Sequence, residues 1–286
     1  MQSTNRLHRA LTTNTTPALG AWQTLPGLQH TRLLAHSSPY LTWQLLDLEH
    51  GSLSDSDLHT CIPAISTANI SPLVRVQDAQ HWMLKRALDA GAHGVVVPLL
   101  LSAKQAREVV GWCKFPPRGT RGFGSPFAMG AFREAKSGRA PSGVEYLRQA
   151  DGATVVVVQI ETRSASEEVE EIARVEGVDV LFVGPFDLGL SIGHPILGDR
   201  WDEELVLAVE RVRVAAKEAG KKSGVYCTSG QQAREFADKG FDMVCAVTDV
   251  HAMGAAFSKA LDEAQGGYLH AGVQGIKQGI GKMTSS

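Results

Sequence analysis

Two carboxylates stand where apolar stretches, typical of buried β-strands, come to an end. Glu161 follows the stretch 155–160, and Asp187 follows the stretch 180–183 after a short GPF segment. In a parallel α/β barrel the carboxyl ends of all strands open on one face, where the chemistry takes place. Carboxylates from two neighbouring strands on that face can bind a hard divalent cation. One such carboxylate alone also fits a turn or a helix cap, so it is the pair that indicates a site.

Two other strand ends supply groups of a different chemical kind. His50 follows the second apolar stretch in the segment DLEH, and Arg75 ends the third. A histidine moves protons near neutral pH, and an arginine can clamp a carboxylate or share the negative charge of a developing enolate. Separately, each also fits an ordinary role, as a capping histidine or as an ion-pair partner. Together with Glu161 and Asp187 they favour an active site.

The elements that must position these residues form a repeating pattern of apolar stretches and amphipathic helical segments. The eight predicted strands are 18–23, 42–48, 72–76, 94–98, 154–160, 179–183, 223–227 and 243–247. The predicted helices between them include 81–90, 103–113, 164–175, 203–219 and 231–239. This order predicts an α/β fold, a single-domain (β/α)8 TIM barrel over residues 16–265, with a flexible N-terminus at 1–15 and a C-terminal tail at 266–286. An open doubly wound sheet is the alternative, although no glycine fingerprint for a dinucleotide follows the first strand.

Several helix boundaries are also predicted. Glycines in the left-handed conformation commonly end the last turn of a helix, and four stand just past predicted helices, at Gly91, Gly177, Gly220 and Gly240. Ser164 with Glu167 three residues later has the spacing of a capping box, which predicts a helix start at Ser164.

The connection 115–141 interrupts the repeating pattern. It contains seven Gly or Pro residues between positions 116 and 130, together with Arg118, Arg121 and Arg133. Long unstructured connections in compact domains are usually functional or disordered. We therefore expect this segment either to fold over the active-site face or to form a surface excursion or a subunit contact.

Composition and charge argue against several classes of partner. The chain has 286 residues, 43% of them hydrophobic, a net charge of −2 and a pI near 6.6, so there is no electrostatic basis for binding nucleic acid or an anionic membrane. No apolar run is long enough to span a bilayer. The four cysteines form no CxxC pair, which favours reduced thiols and a cytoplasmic location. Residues 1–46 contain no Asp or Glu, as in an organellar transit peptide, which is the alternative location signal, but the apolar pattern of the fold begins by Ala18 and leaves little room for a removable segment.

Six segments, in order along the chain, resemble the motifs of the HpcH/HpaI aldolase family, the metal-dependent class II pyruvate aldolases. They are DxEH at 47–50, VR at 74–75, GVVVP at 94–98, FPPRGTRG at 115–122, VQIET at 158–162 and GPxDL at 184–188. The resemblance extends from about Ala18 to Val250, nearly the whole chain.

The resemblance implies a role for each residue of the predicted site. His50 matches the catalytic base, and Arg75 matches the residue that polarises the keto oxygen and stabilises the transition state. Glu161 and Asp187 match the ligands of a divalent cation, Mg²⁺ or Mn²⁺, with Co²⁺ as a substitute. The implied partners are a small 2-oxo acid and an aldehyde.

Further residues are assigned by the same resemblance. Gln159, with the backbone at Phe186 and Asp187, matches the binding site for the carboxylate and keto group of the 2-oxo acid. Asp47 is expected to be a supporting carboxylate nearby. Asp89 matches an aspartate that raises the basicity of the active-site histidine. Because Asp89 ends a helix that leads into a strand, it lies on the face opposite the strand ends, and a neighbouring subunit would supply it more readily; an ordinary exposed carboxylate is the alternative.

The implied activity is that of a carbon–carbon lyase. A 4-hydroxy-2-oxo acid, such as 4-hydroxy-2-oxoheptanedioate or 2-dehydro-3-deoxyglucarate, would be cleaved reversibly to pyruvate and an aldehyde through a metal-bound enolate, and oxaloacetate would lose carbon dioxide through the same enolate. The family usually assembles as a hexamer built from dimers with exchanged C-terminal helices, which implies a homo-oligomer. Leu48 and Phe186 are bulky departures from the family pattern that are expected to narrow the pocket or alter the accepted aldehyde.

Three alternatives to this activity stay open. The stretch AWQTLPG at 21–27 resembles the macrophomate synthase branch, which decarboxylates oxaloacetate and forms carbon–carbon bonds. A citrate-lyase-like enzyme acting on an acyl-CoA would need a nucleotide site, for which no basic cluster is evident. A catalytically silent barrel with a binding role is the third alternative, since a fold does not fix a function.

Overall fold

Eight parallel strands close into a barrel in which each strand pairs with the next and the last pairs with the first. The strands are β1 (Ala18–Gln23), β2 (Trp43–Asp47), β3 (Ser71–Arg75), β4 (Gly94–Val97), β5 (Val155–Ile160), β6 (Val180–Val183), β7 (Lys222–Tyr226) and β8 (Met243–Thr248). The structure is a computed structural model and describes residues 1–13, 16–134, 137–198 and 200–265. The predicted TIM barrel is confirmed, and every strand end lies within one residue of its predicted position.

Helices surround the barrel and connect its strands. They are α1 (Arg6–Thr13), α2 (Leu28–Ala35), α3 (Asp55–Thr67), α4 (His81–Asp89), α5 (Ala103–Cys113), α6 (Gly143–Ala153), α7 (Arg163–Glu167), α8 (Val169–Ala173), α9 (Pro185–Ile192), α10 (Glu203–Glu218) and α11 (Gly230–Asp238), with a 3-10 helix at Ala128–Phe132. Their apolar faces pack on the outside of the strands: in α10, for example, the buried Leu205, Val209, Val212 and Ala216 recur at helical spacing.

The inside of the barrel is filled by large side chains set against glycines. Trp43 occupies the space that a side chain at Gly20 would need, and Phe182 does the same opposite Gly224. Because side chains alternate between the two faces of a strand, every second residue of each strand belongs to this inner layer. The inner layer is therefore a packed core and not a pore.

The first residues of the chain differ from their prediction. Residues 1–15 were expected to be flexible, but α1 packs its Leu7 and Leu11 into the core inside the barrel. Asn5 fixes the segment by donating from Nδ2 to the carbonyls of His93 and Ala153 at 3.0 and 2.8 Å. The apolar face of α1 packs on the core inside the barrel, and this contact explains why the segment is ordered. The polar composition of the segment did not indicate this packing.

Helix ends agree with the sequence in part. The four glycines predicted to close helices all have positive φ, between 69° and 104°. The predicted capping box at Ser164 is wrong: the helix begins at Arg163, and Thr162 caps it by accepting from the backbone N–H of Ala165. The predicted helix 164–175 is also divided, at Glu168, into α7 and α8.

The described part of the segment 115–141 packs at the N-terminal ends of the strands, so within its own chain this part does not fold over the opposite face, where we placed the active site. Arg121 Nη2 and Ser125 Oγ both bond to Asp89, which precedes β4, and His93 Nε2 bonds to the carbonyl of Ala131. Phe115, Phe132 and other residues form a separate small apolar cluster there. A connection from a helix to the next strand must lie on this face, because that is where the next strand begins.

The chain divides into two compact units, Met1–Thr248 and Asp249–Ser286. The unit that holds the barrel therefore ends at Thr248. Residues 249–265 form a helix, α12, whose residues from 250 onward are exposed. The tail predicted at 266–286 lies outside the described residues. No helix in the described part of the chain combines the length and apolar character needed to cross a bilayer.

Candidate active site

Strand alternation carries polar side chains from the barrel core to its mouth, the open face at the carboxyl ends of the strands. In β2 the core residues Trp43 and Leu45 share one face, and Asp47, two residues further on, continues it. The same step carries the inner face of β3 to Arg75 and that of β5 to Gln159. Asp47 lies opposite Arg75 in the β2–β3 register, so the pair forms where the two strands end.

Arg75 is held by carboxylates on two edges. Its Nε and Nη2 donate to Oδ1 and Oδ2 of Asp47 at 2.8 and 2.6 Å, and Nη1 forms an ion pair with Glu49 Oε2 at 3.0 Å. Nη1 also lies 3.5 Å from Gln159 Oε1. Burial acts to lower the pKa of Arg75, but the bonds from Asp47 and the charge of Glu49 outweigh it and raise that pKa. Arg75 is thus a permanent and oriented cation.

Glu161 is buried at the mouth between two donors. The backbone N–H of Leu99 donates to its Oε1 and Gln159 Nε2 donates to its Oε2, both at 2.7 Å. Leu99 has a φ of 48°, in the left-handed region, which turns its N–H toward the carboxylate. A side chain at Gly184 would overlap Glu161 Oε2, so the residue after β6 must be glycine. Burial, followed by the negative charge of Asp187, raises the pKa of Glu161 to about 8.

Asp187 lies in the first turn of α9, half-buried and close enough to Glu161 for the two charges to interact. Pro185 opens the helix, where its missing N–H costs nothing. The backbone N–H groups of Phe186 and Asp187 belong to the same turn, in which helices have no internal acceptor for their donors. The site therefore combines two carboxylates with backbone donors suited to an anion.

His50 lies in the turn that follows β2, and its side chain is 64% exposed. Its backbone N–H points at Asp47 Oδ1 from 3.4 Å, and its Nε2 is 3.8 Å from Glu49 Oε1. The turn therefore fixes the backbone of His50 while leaving the imidazole open to solvent. A small molecule bound at the mouth can reach it.

Asp89 lies apart from the other predicted site residues. At the end of α4 its carboxylate binds Lys85 Nζ at 2.7 Å and Arg121 Nη2 at 3.2 Å. These contacts place it on the opposite end of the barrel, and none of its hydrogen bonds or ion pairs within the described residues involves His50. Any role for Asp89 at a histidine requires a second chain, as the sequence prediction anticipated.

Aromatic side chains form a wall of the site that sequence reasoning did not assign. The ring of Tyr226 meets those of Trp22 and Phe186 edge to face, with centroids 5.4 and 6.3 Å apart. Its hydroxyl is 2.8 Å from Thr248 Oγ1. Phe186, one of the two bulky departures, is thus part of this wall. Positions 22 and 226 stand at or near strand ends, the same signal that identified Arg75.

The donor set fits a divalent cation. Glu161 and Asp187 are oxygen ligands from adjacent elements, and burial of Glu161 among other negative groups leaves a charge that a cation would neutralise. Within the described residues, no group of three or more His, Cys, Asp or Glu side chains has the geometry of a metal cage. Two protein carboxylates would leave the remaining coordination positions to a ligand and to water, which is the open arrangement of a catalytic metal.

Comparison with known proteins identifies a family. A sequence model described as HpcH/HpaI aldolase/citrate lyase matches residues 30–256. A hydroxypyruvate/pyruvate aldolase of Rhizorhabdus wittichii RW1 is 34% identical over 252 residues, which is 87% of this chain and 94% of the relative. A 4-hydroxy-2-oxo-heptane-1,7-dioate aldolase of Shigella flexneri is 34% identical over 224 residues, 78% of this chain and 80% of the relative.

Solved structures give the same result. An HpcH/HpaI aldolase/citrate lyase family protein from Burkholderia cenocepacia J2315 superposes with a TM-score of 0.80 at 32% identity, covering 91% of this chain and 99% of that one. Macrophomate synthase also has a TM-score of 0.80, at 24% identity, and covers 93% of this chain and 89% of its own. The likeness to macrophomate synthase extends to the fold alone.

Proposed function

The chain belongs to the HpcH/HpaI aldolase/citrate lyase family, and from that premise we propose that it is a metal-dependent carbon–carbon lyase. Its reaction is the reversible aldol cleavage of a 4-hydroxy-2-oxo acid to pyruvate and an aldehyde. The observation that carries the proposal is one connected group at the mouth of the barrel. Arg75 contacts Gln159, and Gln159 donates to Glu161, so a cation, an amide and a carboxylate meet where a 2-oxo acid would bind.

A divalent cation completes this site. We propose that Glu161 and Asp187 hold Mg²⁺ or Mn²⁺, with Co²⁺ as a substitute, because their hard oxygen ligands suit these ions. When bound, the ion supplies Lewis-acid polarisation of the 2-oxo acid. The Leu99 N–H and the Gln159 amide keep Glu161 oriented for this task.

Binding of the 2-oxo acid falls to groups that are already oriented. Its carboxylate is bound by the backbone N–H groups of Phe186 and Asp187 at the start of α9. Its keto oxygen faces Gln159 and Arg75. As the carbon–carbon bond breaks, its electron pair becomes the enolate of pyruvate, and Arg75 shares the negative charge that develops on oxygen.

Proton transfer belongs to His50. In the cleavage direction the imidazole removes the proton of the 4-hydroxyl, the bond between C3 and C4 breaks, and the aldehyde leaves. The pyruvate enolate then takes a proton at C3. Asp89 of a neighbouring subunit would raise the basicity of His50, and Asp47 keeps Arg75 in place. The exposed position of the imidazole suits both a substrate and a second subunit.

The relatives suggest the range of substrates. One is named a hydroxypyruvate/pyruvate aldolase, and another acts on 4-hydroxy-2-oxo-heptane-1,7-dioate by name. We propose pyruvate or a close 2-oxo acid as the donor, and decarboxylation of oxaloacetate as a side activity through the same enolate. The aldehyde would meet the Tyr226 and Phe186 rings.

Assembly and location complete the proposal. We propose a homo-oligomer, a hexamer in which C-terminal helices are exchanged between subunits. We further propose that it works in the cytoplasm, because all four cysteines are buried free thiols rather than disulfides.

The experiment measures pyruvate release from a panel of 4-hydroxy-2-oxo acids after the metal has been removed with a chelator. Activity should disappear and return with Mg²⁺, Mn²⁺ or Co²⁺. Glu161→Gln and Asp187→Asn should each lower kcat by about 100-fold or more, the cost of losing one group that stabilises developing charge. Glu203→Gln, a matched change at an exposed position on α10, should have no effect. Full activity in the metal-free protein would contradict the mechanism.

A further inference from the structure

Trp22 contacts both members of the Asp47–Arg75 pair. Its indole N–H donates to Asp47 Oδ2 at 3.0 Å, and its ring lies beneath the Arg75 guanidinium, whose Cζ is 4.8 Å from the ring centroid. The residue ends the inner face of β1 and is only 3% exposed. A side chain that binds a carboxylate at one edge and a cation on its face can fix the geometry between them.

The hydrogen bonds around Asp47 show what the indole adds. Oδ1 accepts from Arg75 Nε and from the backbone N–H groups of Glu49 and His50, at 2.8, 3.1 and 3.4 Å. Oδ2 accepts from Arg75 Nη2 at 2.6 Å and from Trp22. Without the indole N–H, every donor to Oδ2 would belong to Arg75 itself. Apart from Arg75, the carboxylate would then be anchored at Oδ1 alone, through the backbone N–H groups of Glu49 and His50, and would be less constrained against rotating with the guanidinium about that oxygen.

The indole is itself held from several sides. Tyr226 packs edge to face at 5.4 Å, Phe182 lies at 5.9 Å and Trp43 at 6.4 Å between ring centroids. These rings belong to β7, β6 and β2 and surround Trp22 inside the barrel. The position of Trp22 is therefore set by the barrel core, and it can transmit that rigidity to the charged pair above it.

We propose that Trp22 is a positioning residue, which fixes Asp47 through its N–H and supports Arg75 with its ring so that the guanidinium faces the bound 2-oxo acid. The inference rests on the proposed function for the identity of the acid. Arg75 interacts most strongly with the enolate, where negative charge has developed. Misplacing it should therefore slow enolisation more than it weakens binding of the ground state.

The test uses two replacements of Trp22 and a matched control. Trp22→Phe keeps an aromatic ring without the N–H, and the benzothiophene analogue of tryptophan keeps the bicyclic shape without the N–H. Trp201→Phe is the control, since Trp201 packs on Phe236 in the cluster outside the strands, with ring centroids 5.5 Å apart. The readout is exchange of the C3 protons of pyruvate in D₂O, with kcat and KM measured separately on folded protein.

Both replacements of Trp22 should lower kcat about ten-fold, the loss expected for one hydrogen bond to a charged group, with KM changed little. Trp201→Phe should leave kcat unchanged. In an Asp47→Asn background, Trp22→Phe should have no further effect, because the two residues act as a unit. Equal kcat in the wild type and in both Trp22 replacements would overturn the proposal.

A crystal structure of the Trp22→Phe variant decides the same question without activity. Arg75 should leave its two-bond contact with Asp47 or turn away from Gln159. An unmoved guanidinium would overturn the positioning role even if the wild type exchanges pyruvate protons. Conversely, a wild type that exchanges no pyruvate protons but a variant with a displaced Arg75 would refute the proposed function and leave the role of Trp22 standing.

Discussion

Negative charge exceeds positive charge at the mouth of the barrel, and this excess determines what the individual carboxylates can do. The charges of Asp47, Glu49 and Glu161 act on one guanidinium, that of Arg75, and the charge of Asp187 acts on Glu161. Asp47 and Glu49 pair with that guanidinium, whereas Glu161 forms no ion pair within the described residues. Burial then favours its protonated form, and a divalent cation would compete with that proton for the same oxygens.

Alanine substitutions of His50 and Arg75 test whether His50 transfers the proton and Arg75 stabilises the negative charge of the enolate. His50→Ala should slow aldol cleavage by about 100-fold, the usual contribution of a general base, yet leave oxaloacetate decarboxylation nearly unchanged, because decarboxylation removes no hydroxyl proton. Arg75→Ala should slow both reactions, since both pass through the enolate. His59→Ala, at an exposed histidine on α3, is the control. Equal losses in the two reactions for His50→Ala would refute this division.

The positions of site residues at strand ends could be predicted from the sequence, whereas the positions of site residues in the turns beyond the strands could not. Strand direction alone places Arg75 and Glu161 at one mouth, which is why the sequence suffices for them. Glu49 lies in the turn after β2, and the backbone conformation of that turn determines whether its carboxylate contacts Arg75 or points into solvent. The Leu99 N–H reaches Glu161 through a left-handed backbone at a residue that is not glycine, and no sequence pattern marks that conformation.

At the scale of elements, His93, which directly precedes β4, connects β3 and the 3-10 helix at the end of the barrel where the strands begin. Its Nδ1 is 3.2 Å from Ser71 Oγ at the start of β3, and its Nε2 is 2.8 Å from the carbonyl of Ala131 in the 3-10 helix. Its ring stacks on Phe132 at 4.4 Å. Because a carbonyl can only accept, Nε2 carries the proton of the neutral ring. Burial lowers the pKa of His93 to about 4.

This burial predicts a loss of stability in acid. The unfolded chain binds a proton at His93 with a pKa near 6.5 and the folded chain near 4, so stability from this group is complete above pH 6.5 and falls as the pH drops toward 4. The loss should approach about 3 kcal/mol. Urea unfolding between pH 7 and pH 4 should show it in the wild type and in His59→Gln, but not in His93→Gln. An identical pH dependence in all three proteins would contradict the assignment.

Elements at the N-terminal ends of the strands were harder to predict than the strands and helices that build the barrel. Strands and long helices such as α5 and α10 can be predicted from the regular spacing of their apolar residues. The 3-10 helix Ala128–Phe132 is too short for a period, and its place is fixed by Phe132 and the Ala131 carbonyl against His93. The segment 115–141 was predicted to interrupt the repeating pattern, but the choice between a cover for the mouth, a surface excursion and a subunit contact stayed open, because sequence does not reveal which face a long connection follows.

At the scale of the whole molecule, the barrel order of the strands was predictable, because strands such as β5 and β6 are buried on both faces and read as apolar runs. The number of subunits is a different matter. Helix α12 carries exposed apolar side chains at helical spacing, Val250, Met253, Phe257 and Leu261. A continuous exposed stripe of this kind is typical of an interface. It supports the proposed exchange of C-terminal helices.

Disrupting this stripe should change the size of the assembly. Sedimentation velocity of the wild type should show a species several times the 30.7 kDa of one chain. Phe257→Glu places a charge on the stripe and should shift the protein to smaller species. Ala255→Glu adds the same charge on the opposite side of α12 and should leave the size unchanged. A monomeric wild type, or equal effects of the two variants, would refute the proposed role of the helix.

The helix α1 has a consequence for the order in which the protein can be made. A ribosome makes Asn5 and Leu7 before any strand of the barrel, yet the carbonyls that receive Asn5 belong to His93 and Ala153, and the second neighbour of β1 is β8, whose last residue is Thr248. The segment that holds α1 therefore reaches its place only after residues much later in the chain have been made. Throughout synthesis it exposes apolar side chains and an open strand edge, so nascent chains of this barrel should depend on chaperones that bind their N-terminal residues.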